Sequence, residues 1–281
     1  MVRKYLSVFI AWSFLTLVAL SEVKFFRGAC DASAALALDS DAILVADDED
    51  NILRIYSYDD PGLPISSFSL DEFLGVVDSS HPESDIEACT RVGDIIYWIT
   101  SHGRSKKGKW RNSRYRLFAT EIFKIDGIYK LKPKGKPCLN LIDSLLQLDE
   151  LKLQKNIGAV GKNSGTKLAP KEYGLNIEGM TISADGKDLY IGMRNPVPGN
   201  RAILIPLKNI DDVILRESDP KLGTPIYLNL ANRGIRSIEY SSAHQMYFII
   251  AGSISGEGNS SIYSWSGSIK TNPKTIMTFS K

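Results

Sequence analysis

Three glutamates recur at the heads of apolar runs: Glu87 in "ESDIEACTRVGDIIYWIT", Glu178 in "NIEGMTISADGKDLYIGMR" and Glu239 in "RSIEYSSAHQMYFIIAG". Asp85 and Asn176 stand two residues before the first two, on the same face if these runs are extended strands. Carboxylate and carboxamide oxygens are hard donors. Brought to one point, Asp85, Glu87, Asn176, Glu178 and Glu239 form a candidate site for Ca²⁺. Crowded carboxylates repel one another and are costly to desolvate unless something compensates them. Two other compensations are open: pairing with an arginine, for which Arg236 is at hand, or backbone N–H groups donated by a neighbouring strand.

A second set of polar residues lies in the turns between runs: "ADDEDN" (46 to 51), "TSHGRSKKGKWRNSRYR" (100 to 116), "MRNPVPGNR" (193 to 201) and "AGSISGEGNSS" (251 to 261). Turns on a rigid β scaffold are where binding residues concentrate. Asp47, Glu49, Arg104, Arg194, Asn195 and Arg236 are therefore candidate contacts for a small-molecule or anionic ligand, and His102 or Asp48 a candidate general base. Each also has a purely structural reading. Asp and Asn favour turns, so "DDEDN" serves as a hairpin loop without the length of an EF-hand. A lone histidine is commonly a hydrogen-bonding group. The basic loop is either solvated or pairs with the acidic stretch 38 to 60, where eight acids face one base.

These residues need a scaffold that brings distant segments together, and the chain is written in a repeat that does so. Four units can be superposed. They are "DASAALALD/AILVADD/NILRIYSY/PISSFSL", "DIEACTRV/IIYWIT/RLFATEIFKID/KPCLNLI", "NIEGMTIS/LYIGMR/AILIPL/PIYLNL" and "IRSIEYS/QMYFIIAG/SSIYSWSG/TIMTFSK". Each holds four short runs rich in β-branched and aromatic residues, separated by turn signals such as Gly93-Asp94 and Asp185-Gly186. The reading is all-β: a β-propeller of four-stranded antiparallel blades, near 31–70, 85–143, 176–230 and 235–279, either a closed ring of four or an incomplete one. Inner strands would line the channel, with the acids around its mouth. Between the second and third units, Leu141, Leu145, Leu148 and Leu151 share one helical face, which predicts a short amphipathic helix within 139–155.

The bulk properties exclude several classes. Residues 1 to 21 read as an export signal: Arg3 and Lys4, the apolar run Leu6 to Leu20, then Ala19-Leu20-Ser21 as a cleavage site. That run is shorter than the ~20 residues a membrane span needs, so an exported, periplasmic or secreted chain with no membrane segment after cleavage is expected. Removing Arg3 and Lys4 leaves 32 bases against 32 acids, which argues against nucleic acid despite the seven bases in 104 to 116. Cys30, Cys89 and Cys138 are too few and wrongly spaced for a disulfide framework or metal site. Buried free thiols are expected, and Cys30–Cys89 is the first pair to test. No G-x-S-x-G elbow, HExxH, P-loop or CxxC pair is present.

The stretches "CDASAALALDSDAILVADDEDNILRIYSYDDPG", "DIEACTRVGDIIYWITSHGRSKKGK", "GLNIEGMTI", "RNPVPG" and "GIRSIEY" resemble domain-of-unknown-function family 3616 over about residues 27 to 267. That resemblance implies a propeller-like domain of bacterial exported proteins with no established activity. The inner-strand Glu motif is more weakly similar to phytase-like and esterase-like propellers, and more distantly to Ca²⁺-dependent lactonases. Ser33 takes the place of Glu87 in the first unit, so the acidic ring is not uniform. Two functions fit: a non-catalytic propeller binding a ligand or ion at its acidic rim, or a Ca²⁺-dependent hydrolase of phosphoesters or lactones.

Overall fold

The computed structural model describes residues 23–148, 174–255 and 258–279. The predicted signal segment 1 to 21 and Leu151 of the predicted helix lie outside them. Alternating apolar and polar residues in short β-branched runs give sixteen strands, and each predicted unit is one four-stranded antiparallel sheet. The first blade is β1 (Ala32–Ala37), β2 (Ala42–Asp47), β3 (Ile52–Ser57) and β4 (Ser66–Ser69). The second is β5 (Ile86–Val92), β6 (Ile95–Thr100), β7 (Leu117–Ile125) and β8 (Ile128–Cys138). The third is β9 (Asn176–Ile182), β10 (Leu189–Asn195), β11 (Ala202–Leu207) and β12 (Ile226–Leu228). The fourth is β13 (Gly234–Ser241), β14 (Met246–Gly252), β15 (Ser260–Trp265) and β16 (Lys274–Phe279). Among the described residues three short α-helices decorate the sheets: α1 (Asp71–Leu74), α2 (Leu141–Leu145) and α3 (Ile210–Arg216). The predicted helix is thus present as α2, which buries Leu141, Ile142 and Leu145.

The blades stack face to face. In the first three blades one face of the sheet packs onto the next blade, whose opposite face receives it. Leu44, Ala46, Leu53 and Ile55 of the first blade meet Cys89, Trp98 and Phe118 of the second. Tyr97, Ile99 and Leu117 of the second meet Met180, Ile191 and Ile205 of the third. Ala202 and Leu204 of the third meet Ile238, Ile249, Tyr263 and Trp265 of the fourth. Each fully buried aliphatic or aromatic side chain contributes ~1.5–3 kcal/mol. Between the first two blades the buried Trp98 donates to Thr120 Oγ1 at 2.9 Å. Between the fourth and first blades no equivalent apolar core forms among the described residues.

The innermost strands share one irregularity that decides the site. Ladder register slips by one residue on β1 between Ala32 and Ala34, on β5 between Ile86 and Ala88, and on β13 between Ile235 and Ser237. On β9 the slip falls on Glu178, and β10 carries a second slip at Arg194 between Met193 and Asn195. Such bulges twist the strand and turn one side chain out of the alternation. The bulged residues are Ser33, Glu87, Glu178 and Arg236.

Close packing around this rim is tightest at Gly234. A Cβ there would stand 2.0 Å from the Arg194 carbonyl oxygen, backbone against backbone. Gly234→Ala is expected to cost ~1–3 kcal/mol through forced separation of β10 and β13, read as a lower urea midpoint at unchanged slope. A loss under ~0.5 kcal/mol would contradict this packing.

Candidate functional site

The bulges place one side chain per blade at one end of the channel, and these four differ in chemistry. Ser33 donates its hydroxyl to the Ile86 carbonyl and stitches the first blade to the second. Glu178 is buried and fully engaged. Its Oε1 accepts from Arg194 Nη1 at 2.6 Å and Asn176 Nδ2 at 2.8 Å, and its Oε2 accepts from Arg236 Nη1 at 2.6 Å. Arginine pairing, one of the three compensations expected, is therefore realised at Glu178.

Glu87 is different. No hydrogen bond to its carboxylate forms among the described residues. It groups with Asp48, at the start of the β2–β3 turn, and Asp85, just before β5. Carboxylate oxygens of the three lie within 4.8 Å of one another. Asp85 sits in the left-handed region at φ 59°, a conformation Asp tolerates. Arg114 Nη1 holds it at 2.9 Å, and the same guanidinium also pairs with Glu83. Burial, with Glu178, Asp85 and Asp48 adding repulsion, pushes Glu87 up to about 10. Burial and the acids Asp31 and Asp85 push Asp48 up to about 7. Burial also raises Asp85, with Arg114 opposing it.

Glu239 does not join this cluster. Its match to Glu87 and Glu178 rests on the shared Ile-Glu dipeptide, but the β13–β14 ladder puts Arg236 at the bulge and Glu239 three residues further down the channel. Its structural equivalents are Thr90 and Thr181, which pair with Tyr97 and Tyr190 as Glu239 pairs with Phe248. Glu239 is open to the channel, and partial desolvation there moves it up to about 7. The channel cavity, about 340 Å³, is lined by Ser33, Glu87, Cys89, Glu178 and Met180, with Glu239 below.

The other candidates divide sharply. Asp47 serves the turn: its carboxylate accepts from the backbone N–H groups of Cys30, Asp31 and Glu49. Glu49 is exposed at that turn. Arg104 is buried within its own loop, with its guanidinium 5.6 Å from the Trp110 ring, and Trp110 stacks on Tyr115 at 3.7 Å. Asn195 is buried at the end of β10, opposite Asn176. His102 is enclosed, with Nδ1 2.9 Å from the Thr100 carbonyl and its ring against Tyr115. Arg114 is the residue sequence reasoning missed. The basic loop answers the acids of 83 to 85 rather than stretch 38 to 60, and its spacing gave no sign of that. The cysteines are free; Cys89 and Cys138 are buried, but Cys30 is exposed and unpaired with Cys89.

Buried polar atoms without a hydrogen-bonding partner among the described residues also mark this end of the molecule. They include Asp48 Oδ1, His102 Nε2, Ser113 Oγ, Asn176 Oδ1 and Arg194 Nε. Native interiors keep such atoms few, and each calls for an explanation.

Four radial, four-stranded antiparallel sheets about a common channel define a four-bladed β-propeller with a carboxylate triad at one mouth. The chain belongs to the family described as "Protein of unknown function (DUF3616)", whose profile matches residues 31–121 and 139–281. No curated protein matches it in sequence. Among solved structures it is similar to a structural genomics protein of unknown function from Bacteroides thetaiotaomicron VPI-5482, at 12% identity and TM-score 0.38, covering 87% of this chain and 42% of that one. It is also similar to a catalytically inactive virginiamycin B lyase from Staphylococcus aureus, at 11% identity and TM-score 0.37, covering 91% and 58%. The chain thus spans 42% and 58% of those two structures.

Proposed function

We propose that this protein is an exported, non-catalytic binding propeller that holds a divalent cation, Ca²⁺, on Asp48, Asp85 and Glu87. The observation that carries this reading is the triad itself. Three carboxylates from two blades meet within 4.8 Å, only Asp85 has a basic partner, and Asp48 Oδ1 is buried with no donor. A hard cation supplies the missing charge and takes the oxygens directly. Glu178, already neutralised, frames the site instead of ligating. Binding is favoured over hydrolysis because, of the two candidate bases, His102 is sealed behind Tyr115 and Asp48 is taken up as a ligand of the cation.

The test is thermal. An affinity typical of extracellular modules, ~10⁻⁴–10⁻³ M, is expected, so saturating Ca²⁺ raises the melting temperature by ~5 °C over EDTA. Without Ca²⁺ the two raised carboxyls are favoured protonated in the folded state. Their contribution is complete below their unfolded values and is lost as pH rises through about 7 for Asp48 and about 10 for Glu87. Glu87→Gln therefore stabilises the Ca²⁺-free protein at pH ~8 and abolishes the response to Ca²⁺. Equal melting temperatures in Ca²⁺ and EDTA would falsify the assignment.

A further inference from the structure

Every blade has one face built to pack on the next. In the first three blades the second strand of that face carries Leu44, Tyr97 and Tyr190, each packed in or against the core shared with the following blade. The ladder puts Phe248 of β14 at the same step, followed on that face by Ile250. Around them β15 adds Ile262, and β16 adds Met277 and Phe279. No apolar core covers this face among the described residues, and Ile250, Met277 and Phe279 are 42%, 51% and 47% exposed. An apolar sheet face of this build marks an interaction surface.

The first blade does not supply its cover. The face it turns away from the second blade carries Arg54, ion-paired with Asp50, and Tyr56. Its own leading segment packs there: Phe26 stands edge-on to Tyr56 at 5.2 Å, and the Tyr56 hydroxyl donates to the Arg27 carbonyl at 3.0 Å.

Charge decides what fits. One row across the fourth sheet runs Glu239, Phe248, Ser264, Lys274, from the innermost strand to the outermost. The next runs Ser237, Ile250, Ile262, Met277. A twofold axis parallel to the strands reverses each row against itself. Glu239 then meets Lys274 of a second copy, and Ile250 meets its Ile262. The face is thus self-complementary in charge and apolar in the middle, as an isologous contact requires. We infer that the exposed face of the fourth blade is a dimer interface, occupied by the same face of a second copy of this chain.

Sedimentation velocity of the full chain over a dilution series tests this. The wild type dissociates from dimer to monomer on dilution, and Ile250→Lys raises the dissociation constant by at least ~10-fold. Glu239→Lys and Lys274→Glu, each exposed and outside the cation triad, weaken the dimer singly, and the double exchange restores it. That restoration separates a broken interface from a misfolded blade. A monomer at every concentration, or a dimer indifferent to Ile250→Lys and to both charge reversals, overturns the inference. The Ca²⁺ response of the triad stays unchanged in Ile250→Lys and Lys274→Glu, which lie outside the channel cavity, so the two readings fail separately.

Discussion

Replacing Glu178 with alanine is expected to destabilise the protein by about 3–5 kcal/mol. The residue is 6% exposed, and its two oxygens hold two guanidiniums. Removing it strands Arg194, itself buried, with an Ile254 carbonyl at 3.4 Å as its remaining acceptor among the described residues, and leaves the Asn176 carboxamide without its acceptor. Arg236 is about a third exposed and recovers part of its loss from water, so most of the penalty belongs to Arg194. Glu178→Gln keeps the shape but not the charge, and falls between alanine and wild type. Urea unfolding monitored by tryptophan fluorescence measures both. A loss below ~1 kcal/mol for the alanine variant would show the pair to be a surface-like contact. The contrast with Glu87→Gln separates a carboxylate the fold consumes from the one we propose holds Ca²⁺, although both occupy equivalent bulges.

Acid is expected to destabilise the protein through His102. The ring is 2% exposed, and burial, with Arg116 adding repulsion, lowers it to about 4. The geometry gives the reason. Nδ1 already donates to the Thr100 carbonyl, and a proton on Nε2 would have no acceptor. An unfolded histidine titrates near 6.5. The contribution of neutral His102 is complete above that value and is lost as pH falls toward about 4, to a total of ~3 kcal/mol. His102→Asn is the informative variant, because asparagine tolerates the left-handed backbone at φ 50°. Asp48 and Glu87 shift stability the opposite way, so the measured quantity is the difference between wild type and variant across pH ~4.5–7. The same slope in both proteins would remove His102 from the account.

The sequence by itself determined the propeller. Sixteen apolar runs of strand length, grouped in fours and punctuated by Gly, Asp and Asn, leave successive sheets with apolar faces that cover one another. That pattern is local and repeats, so it is visible in a single chain. Ser33, Glu87 and Glu178 were equally legible, because each opens an inner strand. Glu239 was not. A dipeptide match says nothing about where a ladder takes its extra residue, and the β13 bulge at Arg236 moves the alignment by three.

Only the tertiary structure decided which carboxylates share space. Asp48 reaches Asp85 and Glu87 because adjacent blades converge at the channel, while Arg194 of β10 and Arg236 of β13 both reach Glu178. Charges this close are set by distances of a few ångströms between residues far apart in the chain, and no spacing along the sequence records them.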